Sequence, residues 1–137
     1  MTDPIPIPSE PPLPLSERLR RGDLLSADCP SREVLKHVTS RWGVLVLIAL
    51  KDRTLRFGEV RRAVGGVSER MLAQTLQWLE HDGLVDRAAR NVVPPHVEYS
   101  LTPLGQEAAE KVRALADWIE TSLPRIARTW EERRAKG

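Results

Sequence analysis

Apolar positions recur at helical spacing from Val34 onward, and each break in that spacing marks the end of an element. Val34, Leu35 and Val38 form the first stripe, on a helix predicted to begin at Cys29 because Pro30 suits the first helical position, where an amide would be unpaired anyway. Trp42 to Leu50 is almost continuously apolar, which predicts a helix buried on most sides. After a polar turn at Lys51 to Thr54, Phe57, Val60, Arg61 and Val64 repeat at helical spacing until Gly65-Gly66 ends that helix. Ser68 then caps a helix running to about His81, with Leu72, Leu76 and Leu79 on its buried side. At about 100° per residue, Arg70, Ala73, Gln74, Gln77 and His81 fall on the opposite side. Gly83 closes the helix.

Beyond Gly83 the period changes from helical to alternating. Leu84 to Ala88 and His96 to Leu101 read as strands, joined into a hairpin by Ala89 to Pro95. Thr102-Pro103 starts a last long helix as cap and first residue, and Leu104, Ala108, Val112, Leu115 and Ile119 mark one apolar side. Pro124 is expected to interrupt it, leaving a final amphipathic stretch with Ile126, Ala127 and Trp130. At the other end, Pro4 to Pro14 holds six of the eleven prolines, which predicts an extended tail. Ser16 can cap a short helical stretch in which Leu15 and Leu19 share a face, with Gly22 as its stop. The expected organisation is a tail and short helix over residues 1–27, a winged helix-turn-helix over 28–101 and dimerisation helices over 102–137. The fold class is mainly α with a small β-hairpin.

Composition narrows the function. A chain of 137 residues has room for one ordinary core, which excludes a multidomain enzyme, and 41% hydrophobic residues suffice to fold it. The net charge of +2 permits an anionic partner without demanding one. With Cys29 as the single cysteine no internal disulfide can form, which fits a reducing compartment. The longest apolar run, Trp42 to Leu50, is far short of the roughly 20 residues that cross a bilayer, and no signal pattern opens the chain, so a cytoplasmic protein without a membrane partner is expected. His37, His81, His96 and Cys29 lack metal-ligand spacing and there is no glycine-rich phosphate loop, so neither a metal nor a cofactor is expected. Cys29 has no histidine close in sequence to act as a base, and no catalytic residue is assigned.

A short helix, a glycine turn, a second helix with a polar outer face and a hairpin follow one another in the order of a winged helix-turn-helix. On that outer face Gln74 and Gln77 can each offer donor and acceptor to adenine, Arg70 can reach guanine or phosphate, Ala73 can contact a thymine methyl, and His81 can meet a phosphate. A solvated helix face carries such residues too, and it is their position after Gly65-Gly66 that favours DNA. Lys51, Arg53, Arg56, Arg61 and Arg62 against Asp52 and Glu59 form the clearest positive cluster, suited to positioning on phosphates, with Arg61 alternatively bracing the fold. Arg87, Arg90 and His96 add a smaller group at the hairpin, and Arg90-Asn91 at its tip suits the minor groove. Cys29 at a helix start meets unpaired amides that favour the thiolate, opposed by the adjacent Asp28. It is a candidate redox or electrophile switch, with an inert buried thiol as the alternative.

Cys29-Pro30, Arg41-Trp42, Arg56-Phe57-Gly58-Glu59, Met71-Leu72, Asp82-Gly83-Leu84-Val85 and the run from Pro94-Pro95-His96 to Thr102 resemble the HxlR-type family of bacterial winged-helix regulators. The match covers roughly Cys29 to Trp118, and the hairpin run is its most specific part. The resemblance implies homodimeric, MarR-related DNA-binding regulators, several of which respond to electrophiles or oxidants. It implies that Ser68, Arg70, Ala73, Gln74 and Gln77 lie on the recognition helix, that Arg90, Asn91 and His96 lie on the wing, and that Cys29 matches the family's N-terminal cysteine. The wing departs from the family pattern, with Arg90-Asn91 where Tyr-Pro is frequent and His96 where Arg is frequent.

The leading expectation is a dimeric, sequence-specific regulator, a repressor in the first instance, acting on an inverted-repeat operator in double-stranded DNA. Leu104, Ala108, Val112, Leu115, Trp118 and Ile119 are its expected dimer contacts, and a small-molecule effector or an oxidant its expected signal. Trp42, Trp78, Trp118 and Trp130 suit either an aromatic effector pocket or core and interface packing. The alternative from another class is a winged-helix protein-interaction module whose basic face is merely solvated.

Overall fold

The computed structural model of the protein describes residues 23–137. The proline-rich stretch Pro4 to Pro14, the Ser16 cap with Leu15 and Leu19, and the Gly22 stop lie outside the described residues. The described residues group into two compact units, 23–37 and 38–137.

In the first unit the chain from Asp23 turns tightly before helix α1 (Ser31–Thr39). Ser26 and Cys29 donate their amides to the carbonyls of Asp23 and Ser26, and Arg32 and Glu33 donate to those of Cys29 and Pro30. Arg32 also reaches back with its guanidinium, Nε to the Leu24 carbonyl at 3.0 Å and Nη2 to that of Leu25 at 3.1 Å. Those turns hold Cys29 and Pro30 ahead of the helix, which therefore begins two residues past the expected start at Cys29. The stripe Val34, Leu35 and Val38 is also not its buried face. His37 is buried and Val38 partly so, whereas Val34 and Leu35 are 42% and 41% exposed. Periodicity finds an apolar face, but it does not say whether a single chain covers it.

The second unit is built on α2 (Arg41–Leu50). Ser40 caps it by accepting the Gly43 amide at 3.0 Å, and Val46, Leu47 and Leu50 are fully buried. Around them pack Val60 of α3 (Phe57–Ala63), Leu72, Leu76 and Leu79 of α4 (Glu69–His81), and Ala109 and Val112 of α5 (Pro103–Lys136). Each large aliphatic side chain removed from water in this core contributes about 1.5–3 kcal/mol before entropy is counted.

The predicted hairpin is β2 (Val85–Arg90) with β3 (His96–Leu101), and it acquires a third strand that the sequence does not announce. β1 (Leu55–Arg56) lies along the other edge of β3, giving the antiparallel order β1-β3-β2 with Leu55 opposite Tyr99 and Arg56 opposite Glu98. Two residues are too few to show alternation; β1 forms because β3 offers an edge whose amides and carbonyls need partners.

Two glycines fix how the sheet meets the helices. Gly83 has φ of 77°, and the bonds Leu84 N–H to Leu79 O and Gly83 N–H to Glu80 O end α4 in a Schellman turn. Gly105 sits where α5 crosses the root of β2: a Cβ there would overlap the Leu84 carbonyl oxygen and come within 2.9 Å of its carbon. Thr102 locks this crossing. Its amide donates to Leu84 O, its hydroxyl donates to Gly83 O at 2.7 Å, and the same oxygen caps α5 by accepting the Gly105 amide.

The break expected at Pro124 does not occur: α5 is one helix of 34 residues. Pro124 is exposed, so water can satisfy the carbonyl that loses its donor. The apolar side read as one dimer face also divides. Val112 is buried and Ala108 half-buried in the protomer's own core, whereas Leu104, Leu115, Trp118 and Ile119 are between 44% and 56% exposed. A face wider than one stripe lets a helix serve the core with one flank and leave the other to solvent.

Candidate nucleic-acid interface

α3, the turn through Gly65-Gly66 and α4 form the helix-turn-helix. Ser68 is the N-cap of α4, its hydroxyl oxygen accepting the Met71 amide at 3.1 Å. The buried side of α4 is Leu72, Leu76 and Leu79, as expected, with Thr75 added because its hydroxyl donates to Met71 O at 2.7 Å. On the opposite side Arg70, Ala73, Gln77 and His81 are exposed and Gln74 is half-buried. The amides and guanidinium of this face are the groups that read base edges in a major groove, and an α-helix is the element that fits there.

The basic cluster sorts into braces and free cations. Lys51 pairs with Asp52 at 3.1 Å, and Arg53 donates from Nε to the Ala49 carbonyl at 2.8 Å, closing the end of α2. Arg61 spans the turn, its Nε 3.4 Å from Val67 O and its Nη1 3.7 Å from Glu69 Oε1. It holds the two helices at their joint, the alternative role that the sequence left open for it. Arg56, Arg62, Arg70 and Arg87 are exposed and form no ion pair with any described residue. Glu59 instead accepts the Arg56 amide at 2.8 Å, which orders the start of α3. Arg61, Arg62 and Ser68, with Gly58, Gly66 and Val67, line a shallow depression of about 550 Å³ in front of α4.

On the wing the chain corrects one expectation. Arg90 is the last residue of β2, paired in register with His96, so the tip is Asn91 to Pro95 and its side chains are chiefly apolar; Val93 is 99% exposed. Arg90 is also not free. Its Nε donates to Glu98 Oε1 at 2.8 Å, and His96 Nε2 lies 3.0 Å from Glu98 Oε2. Hydrogen bonding from Arg90 and then from His96 holds the Glu98 carboxyl below the usual carboxylate range. Glu98 was visible in sequence only as a polar position in an alternating strand. The available signal was its spacing two residues from His96, which puts both on one face of β3.

Cys29 is 9% exposed and its thiol is lowered from its ordinary pKa, chiefly by a hydrogen bond from the Ser31 side chain. The Ser31 amide adds to that, as expected near a helix start, while burial acts in the other direction. The opposing charge is that of Asp23 and not of the adjacent Asp28, because the turn folds Asp23 back toward the thiol.

A helix-turn-helix with a polar, outward recognition face, unpaired arginines around it and a wing at its side defines a DNA-binding regulator. Residues 37–127 match the HxlR-like helix-turn-helix family, and the chain belongs to that family. It is 63% identical over 121 residues to the uncharacterized HTH-type transcriptional regulator YtfH of Escherichia coli (strain K12), covering 88% of this chain and 96% of that protein. The solved structure of the transcriptional regulator ytfH from Salmonella typhimurium matches with a TM-score of 0.77 at 63% identity, covering 81% of this chain and 99% of that one. The redox regulator HypR in its reduced form matches with a TM-score of 0.65 at 33% identity, covering 72% and 97%. The protein is thus a helix-turn-helix transcriptional regulator. Among the described residues no helix is long and apolar enough to cross a membrane.

Proposed function

We propose that the protein acts in the cytoplasm as a homodimeric repressor that binds an inverted-repeat operator and releases it when Cys29 is oxidised or alkylated. The observation that carries the reading is the division of α4, with Leu72, Leu76 and Leu79 sealed in the core and Arg70, Ala73, Gln74, Gln77 and His81 turned outward. In this reading Arg70, Gln74 and Gln77 discriminate bases, Ala73 meets a thymine methyl, and Arg56, Arg62, Ser68, His81 and Arg90 contact the backbone, while Asn91 and His96 serve the wing. Arg61 supports the turn and no residue is given a catalytic step.

A second copy covers the outer flank of α5. Leu104, Leu115, Trp118 and Ile119 are joined there by Leu123 and Trp130, at 45% and 55% exposure, more apolar surface than a monomer of this size leaves in water. Ala108 and Val112 support that flank from within. Two recognition helices then meet half-sites about one helical turn, roughly 34 Å, apart. The lowered thiol of Cys29 supports the sensing role, as does the similarity to a redox regulator solved in oxidised and reduced forms. With one cysteine per chain, oxidation ends in a bridge between two Cys29 residues, a mixed disulfide with a small thiol, or a sulfenic form.

Selection of random duplexes on the purified protein, followed by sequencing, tests the central claim. An enriched inverted repeat is expected; no enrichment, with binding of protein partners instead, would favour the interaction-module alternative. Sedimentation at tens of micromolar, about the range where weak dimers persist, should give twice the chain mass. Diamide should abolish operator binding by the wild type and not by Cys29→Ser; equal responses would remove Cys29 from the sensing role.

A further inference from the structure

The outward face of the sheet concentrates charge around one carboxylate. In antiparallel pairing, opposed residues share a face, and so do residues two apart along a strand. Arg90 stands opposite His96, and Ala88, Glu98 and Arg56 form the next row across β2, β3 and β1. Arg56, Arg90 and His96 therefore surround Glu98 on one side of the sheet, with Asp86 a further row away opposite Ser100. Glu98 engages Arg90 and His96 at once, one with each carboxylate oxygen.

The geometry of the Arg90 contact is what matters. It uses Nε alone. A guanidinium has five N–H donors in one plane, so the donors on both terminal nitrogens stay available while the plane itself is fixed. An unpaired arginine must be ordered when it meets a phosphate; one already held from behind is ordered beforehand, and its terminal fork matches two phosphate oxygens.

We infer that Glu98 is a positioning residue of the DNA interface, which holds Arg90 as a preformed clamp for one backbone phosphate beside the wing, while His96, with Nε2 on Glu98 and Nδ1 3.4 Å from the Pro94 carbonyl, braces the carboxylate. The inference rests on the reading of the wing as a DNA contact. Charge alone predicts the opposite sign: Glu98 repels phosphate, so deleting it adds one positive unit to the interface and should tighten binding to any duplex. Pre-organisation predicts that deleting it weakens binding in spite of that added charge.

Backbone clamping is independent of sequence, so the probe is a fluorescein-labelled random duplex of about 30 base pairs, read by anisotropy at about 50 mM salt. Five forms of the full chain are compared: wild type, Glu98→Ala, Glu98→Gln, Arg90→Ala and the double variant Arg90→Ala/Glu98→Ala. Glu98→Ala should weaken binding about five-fold in the wild-type background and not at all without Arg90. Glu98→Gln, which keeps an oxygen for Arg90 Nε, should restore wild-type affinity or better. Tighter or unchanged binding by Glu98→Ala, or equal weakening with and without Arg90, overturns the inference. If Glu98→Ala melts early, Glu98→Thr, a strand-forming residue too short to reach Arg90, repeats the cycle and must give the same sign. A wild-type protein that does not bind the duplex sinks the DNA reading of the wing and this inference with it, whereas binding with a null cycle sinks the inference alone.

Discussion

Replacing Gly105 by alanine adds one methyl where α5 crosses the root of β2. That methyl would overlap the Leu84 carbonyl oxygen, with the carbonyl carbon at 2.9 Å and the Leu101 Cβ at 3.3 Å. Relief by moving the carbonyl is resisted, because Leu84 O accepts the Thr102 amide and the neighbouring Gly83 O accepts the Thr102 hydroxyl. Overpacking of this kind costs about 1–3 kcal/mol, and here the neighbour is backbone, which places the cost near the upper end. Weakening one of the Thr102 bonds adds about 1 kcal/mol. Alanine regains about 1 kcal/mol over glycine in helix propensity. The net expectation is a loss of about 3 kcal/mol, a drop in Tm of roughly 10 °C for a chain of this size. Urea and thermal denaturation at one fixed protein concentration should show this as a lower midpoint with an unchanged denaturant slope, because dimerisation would otherwise enter the comparison. A variant within about 0.5 kcal/mol of wild type would mean that α5 rides over β2 without a rigid crossing, and the reasoning would fail.

Gln74→Ala should change preference at one operator position by about 1–3 kcal/mol, read by competition among single-base operator variants; an unchanged preference for both Gln74→Ala and Gln77→Ala in folded protein removes them from readout. Arg62→Ala should weaken binding to all duplexes alike and lower the slope of log affinity against log salt by about 1, whereas Arg61→Ala should mainly cost stability, about 0.5–1 kcal/mol, since it loses a long hydrogen bond and an exposed ion pair. Ser31→Ala should raise the Cys29 thiol pKa, so that iodoacetamide reacts more slowly at neutral pH and the midpoint of its pH profile moves upward. The depressed Glu98 carboxyl stabilises the hairpin at pH values above the ordinary carboxylate pKa of about 4.3, and this is lost as pH falls through its own lower value. Melting the wild type and Glu98→Gln between about pH 6 and pH 3 should therefore show the wild type losing more.

Features legible in the sequence were those whose cause lies within one or two turns of chain. Ser68 as a cap, the Leu72, Leu76 and Leu79 stripe, the Schellman glycine at Gly83 and the Thr102-Pro103 start of α5 are all local, and all stand where their residue types require. What was not legible depends on residues distant in sequence. Strand β1 owes its existence to the edge of β3 some forty positions later. Whether a basic side chain is free or engaged depends on tertiary partners, so Arg61, Arg62 and Arg90 look alike in sequence and differ in the fold. Charge opposite Cys29 came from Asp23 by way of a turn, and not from its neighbour Asp28. Apolar side chains on α1 and α5 showed their periodicity plainly, but which of them one chain buries is decided by the width of the face that its own core covers.

The Thr102 crossing turns the wing and the long helix into a single mechanical part. One residue ties the end of β3 and the first turn of α5 to the Gly83 and Leu84 carbonyls at the root of β2, and Gly105 leaves no slack between them. At about 1.5 Å per residue, α5 is roughly 50 Å long, so it works as a lever with the wing fixed at its short end. In the proposed dimer, a change of a few degrees in the crossing angle of the two α5 helices would not be absorbed at the joint. It would swing both wings together, altering the spacing they present to the two sides of the proposed operator.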